Sequence, residues 1–245
     1  MTQQNSSSNH TLSLEAHRLS PWQRVALPIM AGPMRGTRWA PASGGKVARL
    51  LCGTYEREQT QKFCDVLAEG DILFDVGASV GYYTLLSAKF VGLRGHVVAF
   101  EPDPKNIAYL RRHVKANQLS NVSIHEMAVA DQEGTARFEF GTGTGTGRLS
   151  SGGSLSVPVT SLDKFSAEHN LRPTHIKIDV EGAETQVLKG ARELLSETHP
   201  TIFLSTHGSD VHETCCRLLR ELNYDLQPMN GGDLRTSDEV FCRAA

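Results

Sequence analysis

Between Gly70 and Tyr82 the chain reads Gly-Asp-Ile-Leu-Phe-Asp-Val-Gly-Ala-Ser-Val-Gly-Tyr, and no other stretch constrains the fold as much. Ile72 to Val76 has the length and apolarity of a buried parallel strand. Asp75 lies near its end, and Gly77 and Gly81 then allow a sharp turn that brings backbone close to a ligand. Tyr82 to Lys89 reads as a helix whose N-terminus faces whatever the turn holds, where orphan N–H groups and the positive dipole end favour an anion. His96 to Phe100 is a second strand, closed by Glu101, whose carboxylate can accept both hydroxyl protons of a ribose. Pro102 turns the chain away. The layout is that of a nucleotide-like cofactor site; a tight strand-to-helix turn with no ligand is the plainer reading of the two glycines.

Glycine spacing separates two nucleotide chemistries. A dinucleotide fingerprint needs G-x-G-x-x-G so that backbone can touch a pyrophosphate. Here the turn is Gly77-Ala78-Ser79-Val80-Gly81, with an acid just before it. Asp75 would repel a pyrophosphate but suits the cationic amino-acid end of S-adenosylmethionine, which is favoured over NAD.

The 245 residues fit one α/β domain. Lys and Arg number 25 against 27 Asp and Glu, with no basic block, so a nucleic-acid partner is not expected. Cys52, Cys64, Cys215, Cys216 and Cys242 are odd in number and lack a C-x-x-C spacing; they read as free thiols in a reducing cytoplasm. No membrane span and no signal peptide are expected. Residues 1–18 read as a disordered tail and 19–52 as an irregular, proline-bearing arm over the active site. The domain proper is expected over 53–245. Arg35 and Arg38 beside Trp22 and Trp39 are candidates for a substrate mouth, or simply a surface-packed arm with solvated arginines.

Phe63, Val66 and Leu67 have helical spacing, as do Ile107, Leu110 and Val114 after Glu101. Val122 to Val129 reads as a third strand, and Thr135 to Phe140 with Ser156 to Leu162 as an added hairpin. Between them Gly141 to Gly147 alternates Gly and Thr, either a mobile lid or a plain hairpin tip. His175 to Val180 is a fourth strand. One helix then carries Val187, Leu188, Ala191, Leu194 and Leu195 inward. Pro200 to Ser205 is a fifth strand, a helix holds Cys215, Leu218, Leu219 and Leu222, and a final pair is antiparallel. Alternation of strand and helix implies a mostly parallel sheet covered on both faces.

In such sheets ligands bind beyond the carboxyl ends of the strands. Asp75, Glu101, Glu126, Asp179 and Thr206-His207 all fall at or near such ends, converging from distant positions on one pocket. Helix capping or solvation is the alternative for any one of them alone.

Asp75-Val-Gly-Ala-Ser-Val-Gly-Tyr-Tyr-Thr, Phe100-Glu-Pro-Asp-Pro, Ile176-Lys-Ile-Asp-Val-Glu-Gly-Ala-Glu and Leu188-Lys-Gly-Ala together resemble the FkbM-type S-adenosylmethionine-dependent methyltransferases, from about Gly53 to His207. Gly32-Pro-Met-Arg-Gly-Thr-Arg-Trp39 and Gly53-Thr-Tyr-Glu56 resemble the entry arm of some members. The resemblance implies a class I, Rossmann-like three-layer sandwich around a seven-stranded sheet. It implies that Asp75, Gly77, Ala78 and Gly81 hold the methionine end, with Tyr55, Glu56, Tyr82 and Thr84 nearby. Glu101, beside Pro102, would bind the ribose, and Glu126 with Ala128 the adenine. Ser79 stands where the family commonly has asparagine, and Ser205-Thr206-His207 keeps the histidine of a common Glu-x-His pattern but not its acid.

Methyl transfer requires water exclusion, alignment and removal of the acceptor proton. Asp179 and His207 are the candidate bases. Asp179 alternatively orients the cofactor's ammonium group, and His207 is alternatively a buried histidine capping its strand. Glu181 neutralises Lys177 or shares a divalent cation, magnesium being the candidate, with Asp179. The expected activity is O-methylation of a hydroxyl on a small-molecule or glycosidic acceptor. N-methylation, an NAD-dependent activity and a non-catalytic binding module are the competing readings.

Overall fold

The computed structural model describes residues 20–44, 46–141 and 146–245. A short antiparallel ribbon of β1 (Leu27–Pro28) and β2 (Arg38–Trp39) leads to helix α1 (Val47–Leu51) and helix α2 (Arg57–Val66). The chain then alternates through β3 (Ile72–Val76), α3 (Tyr82–Val91), β4 (His96–Phe100), α4 (Pro104–Ala116) and β5 (Val122–His125). Four short strands follow: β6 (Ala128–Val129), β7 (Gly134–Glu139), β8 (Arg148–Leu149) and β9 (Leu155–Thr160). The last third holds α5 (Leu162–His169), β10 (His175–Ile178), α6 (Glu184–Lys189), α7 (Arg192–Thr198), β11 (Thr201–Ser205), α8 (Ser209–Glu221), β12 (Tyr224–Pro228) and β13 (Glu239–Ala244).

Seven strands form one sheet in the order β12-β13-β11-β10-β3-β4-β5. Pairing is parallel throughout except around β13, which runs antiparallel to both β11 and β12. This is the class I methyltransferase architecture. Side chains alternate between the two faces with the period of two that a pleated strand imposes. Phe74, Ile176 and Leu204 join Leu188, Leu195 and Leu219 in a core on one face. Leu73 and Phe203 join Phe63, Leu86 and Trp39 on the other. Strand order reverses between β3 and β10, and the crevice beyond that point is where ligands settle in open α/β sheets.

Local chemistry explains the helix starts. Asp103 caps α4, its carboxylate accepting from the Lys105 N–H at 2.8 Å, with Pro104 at the first helical position. Ser161 caps α5 in the same way through the Lys164 N–H at 3.2 Å.

Three expectations are corrected. The strand over Val122 to Val129 is two strands: the Met127 N–H turns back to the His125 carbonyl at 2.9 Å, and Ala128–Val129 leaves the main sheet to pair with β9. The added hairpin is the centre of a four-stranded sheet ordered β6-β9-β7-β8, and Leu162 belongs to α5, not to its strand. The helix through Val187 and Leu195 is two: the backbone leaves helical geometry at Gly190 (ψ 6°) and Ala191 (φ −121°, ψ 9°), where a Cβ on Gly190 would lie 2.1 Å from the Ala130 carbonyl oxygen, an approach only glycine permits. The lid reading of 141–147 falls largely on 142–145, and the tail reading on 1–18; both lie outside the described residues.

Candidate active site

A cavity of about 470 Å³ opens beyond the carboxyl ends of β3, β4, β10 and β11. Its floor is the turn after β3. Gly77 has φ of 78°, and a Cβ there would lie 1.8 Å from the Asp179 carbonyl oxygen, so the turn packs directly onto the chain leaving β10. The Gly77 and Ala78 N–H groups both donate to the Phe100 carbonyl, at 3.1 and 3.0 Å. The Ser79 N–H donates to Glu101 at 2.7 Å. The Gly77, Ala78 and Ser79 donors are therefore committed to β4 and its acid, not free for a ligand as the sequence alone suggests. Helix α3 follows Gly81 with no side chain capping it.

Asp75 is fully buried behind this floor and does not line the cavity. Its Oδ2 accepts from the Thr84 hydroxyl at 2.5 Å, and its Oδ1 lies 3.4 Å from the Lys177 ammonium. Lys177 also donates to the Gly77 carbonyl at 2.9 Å and lies 3.5 Å from Asp179 Oδ2. Burial alone would lower the Lys177 pKa, but Asp179 and Asp75 outweigh it and hold the amine charged. Lys177 thus ties the turn, Asp75 and Asp179 into one unit. Sequence reasoning gave it no such role.

Glu101 is 4% exposed. It accepts from the N–H groups of Ser79 and Asp103, the latter at 2.8 Å, and from the Asn106 amide at 3.3 Å. Burial pushes its pKa up to about 7 against the pull of these donors. Pro102 lines the cavity beside it, with Met127 and Ala128 further along the wall. Glu126 is not there: it points outward into an ion pair with Arg111, and Met127 and Ala128 form the wall in its place.

The opposite wall is aromatic. Tyr55 and Tyr82 meet edge to face at 4.7 Å, and Trp39 approaches Tyr82 at 6.4 Å. Below them the Tyr83 hydroxyl donates to Glu56 at 2.6 Å. Burial and then Glu56 push the Tyr55 hydroxyl pKa upward, so it stays protonated as a donor. Glu239, which the sequence did not single out, enters from β13 and accepts from Gln59 at 2.7 Å and from Ser205 at 2.9 Å. Burial raises its pKa to about 7. Of the arm, Trp39, Lys46 and Leu50 line the cavity; Trp22 is exposed, and Arg35 and Arg38 are not on the wall.

At the end of β10 and β11 three groups converge. His207 Nε2 lies 3.8 Å from Asp179 Oδ1 and 3.6 Å from Glu181 Oε2. Its Nδ1 is 2.9 Å from Glu184 Oε1, a fully buried carboxylate that also accepts from the Gly182 N–H at 3.0 Å. The hydrogen bond to Glu184 drives the His207 pKa up to about 9 against desolvation, with Glu181 and Asp179 adding to it. Glu181 is held back over the cluster by a left-handed φ of 55°. Ligand atoms of Asp179, Glu181 and His207 lie within 4.8 Å of one another, so the three could hold a metal ion.

The donor set suits S-adenosylmethionine. A carboxylate with one acceptor site left on Oε2 stands at the end of β4, an apolar slot beside Met127 and Ala128 suits a purine, and the acids Glu56, Asp179 and Glu239 suit a cationic sulfonium and ammonium. Sheet order and pocket together define an S-adenosylmethionine-dependent methyltransferase.

Comparison with known proteins narrows the class. The chain belongs to the FkbM methyltransferase family: the family described as "Methyltransferase FkbM domain" matches residues 75–226. It is 23% identical over 220 residues to the hexuronic acid methyltransferase AglP of Haloferax volcanii, covering 86% of this chain and 90% of that protein. It is 28% identical over 193 residues to the 2-O-methyltransferase NoeI of Sinorhizobium fredii, covering 69% and 72%. The ribosomal protein L11 methylase of Lactobacillus delbrueckii subsp. bulgaricus shares the fold, with a TM-score of 0.52 at 12% identity over 86% of this chain and 87% of that one. Among the described residues, no helix is long and apolar enough to cross a membrane.

Proposed function

We propose that the protein methylates a hydroxyl oxygen of a small-molecule or glycosidic acceptor. The observation that carries this reading is the pairing of Asp179 and His207 on the cavity wall, 3.8 Å apart at the ends of adjacent strands. S-adenosylmethionine, when bound, supplies a methyl carbon activated by its sulfonium, so that the acceptor gains a C–O bond as the C–S bond breaks and the sulfur leaves as a neutral thioether.

The protein's part is to bind, align and take a proton. Glu101 and Pro102 are assigned to the ribose, and Met127 with Ala128 to the adenine. The turn from Gly77 to Gly81 is assigned to the methionine end with Tyr55, Glu56 and Tyr82, Asp75 and Thr84 bracing it from behind. Asp179 is the proton acceptor, because His207 is held protonated at neutral pH and serves as a donor that orients it. The arm, through Trp39, Lys46 and Leu50, is assigned to the acceptor side. The names of AglP and NoeI favour a sugar acceptor over nucleic acid, and five free cysteines suit a reducing compartment such as the cytoplasm.

The test is a panel of hexuronic acids and neutral glycosides with methyl-labelled cofactor, the product position read by NMR. An O-methyl sugar is expected, with turnover at saturating cofactor reduced roughly 10² to 10⁴-fold in Asp179→Asn. Methylation at nitrogen, or full turnover in the variant, overturns the assignment.

A further inference from the structure

We infer that Asp179, Glu181 and His207 form a binding site for a first-row divalent cation that receives two neighbouring oxygens of the acceptor. This deepens the reading above and rests on it for the acceptor's chemistry, but not for the ion: without the ion His207 is the protonated donor described above, and binding the ion displaces its Nε2 proton and takes Asp179 Oδ1, leaving Asp179 Oδ2 for the acceptor's proton.

Four observations carry it. The ligand atoms are preassembled: His207 Nε2 sits 3.6 Å from Glu181 Oε2 and 3.8 Å from Asp179 Oδ1. Ligands at about 2.1 Å from a shared ion are separated by roughly 3 to 4 Å, a range that both separations from His207 already meet. The three come from two strand ends and the loop after β10, and all line the cavity. Behind them stands a buried carboxylate: Glu184, with no exposed surface, takes the imidazole's other nitrogen at 2.9 Å. A ligating histidine nearly always gives its second ring nitrogen to such a group, which fixes the ring with Nε2 toward the ion. Finally, Glu184 Oε2 is buried with no hydrogen-bond partner, a carboxylate oxygen beside the cluster left unsatisfied by the protein alone, where added positive charge is favourable.

Ligand chemistry selects the ion. Magnesium prefers an all-oxygen shell, whereas one imidazole with two carboxylates suits manganese, iron or zinc. Three protein ligands leave coordination positions open toward the cavity. Vicinal hydroxyls, or a hydroxyl beside a carboxylate, fill two adjacent positions and place one oxygen for methylation. That selects sugars and uronic acids over isolated alcohols.

The test uses the full chain stripped with a chelator and titrated with Mn²⁺, followed by calorimetry and by the electron paramagnetic resonance of free Mn²⁺. One saturable Mn²⁺ per chain is expected, weakened at least tenfold in both Glu181→Gln and His207→Ala; S-adenosylhomocysteine binding stays as in the parent in both, and the melting temperature stays as in the parent in Glu181→Gln, which leaves the His207–Glu184 pair intact. The unaltered protein loaded with Co²⁺ gives a check that needs no variant, because a nitrogen-and-oxygen site produces visible absorption absent from free Co²⁺ at the same concentration. The same side chains are also self-sufficient as an imidazolium between carboxylates. No saturable Mn²⁺, or binding that survives both substitutions, selects that arrangement and overturns the site. O-methylation that persists in chelator removes the ion and leaves the proposed function, whereas Mn²⁺ binding without methylation of any hydroxyl acceptor does the reverse.

Discussion

Lys177 organises the catalytic end of the sheet. A lysine inside a four-residue buried strand reads as a surface residue in sequence. Only the parallel register, which sets it opposite Asp75, turns it into the centre of a charge cluster. Its side chain is enclosed by Asp75, Asp179 and the Gly77 carbonyl, so removing it strands a buried carboxylate. Lys177→Met is expected to cost about 3 to 5 kcal/mol in urea denaturation, the range for breaking one side of a buried pair. A loss under about 1 kcal/mol would contradict Lys177 as the centre of a buried charge cluster. Glu101 and Asp179 were legible as cavity-wall positions because each directly follows a segment that reads as a strand. Glu184 stood in the quoted motif without a role, since nothing along the chain shows that a glutamate on α6 faces a histidine after β11. Glu126 was misplaced for the converse reason: a strand-end acid and an outward ion pair look alike until the turn at Met127 is seen.

Elements were legible where periodicity was unbroken and obscured where a glycine contact or a change of sheet interrupted it. The stripe through Leu188 and Leu195 continues across Gly190, so the helix break has no signature besides one glycine. The arm is fixed by an anchor that no pattern reveals. His113 on α4 stacks on Trp39 at 4.0 Å, accepts from the Ala40 N–H at 2.9 Å and donates to the Val80 carbonyl at 2.7 Å. This geometry requires a neutral ring, because a proton on Nε2 would meet the Ala40 N–H. Burial accordingly lowers the His113 pKa to about 4 from 6.5. A depressed folded-state value gives stability that is complete above pH 6.5 and lost as the pH falls toward 4. The difference is on the order of 3 kcal/mol. The parent should therefore lose more stability than His113→Gln between pH 7 and pH 4 in denaturant titrations. Parallel curves for the two proteins would refute the neutral anchor.

At the scale of the molecule, the alternation of strands and helices into a mostly parallel sheet was the most legible property and the acceptor pocket the least. Each strand–helix step writes its own hydrophobic period, and right-handed crossovers leave few ways to assemble them. The pocket instead draws on Trp39 and Lys46 of the arm, on Arg148 and Leu149 of the small sheet, and on Glu239 of the last strand. These positions share no local pattern and meet only after the sheet has formed. The cofactor half of the cavity is built from strand ends and can be questioned on its own. Calorimetric titration with S-adenosylmethionine, S-adenosylhomocysteine and NAD, repeated on Glu101→Ala, tests it most directly. The two sulfur nucleotides should bind and NAD should not, with affinity weakened by about 1.5 to 3 kcal/mol in the variant as charged hydrogen bonds to the ribose are lost. Binding of NAD in place of the sulfur nucleotides, or unchanged affinity in Glu101→Ala, would contradict the site described.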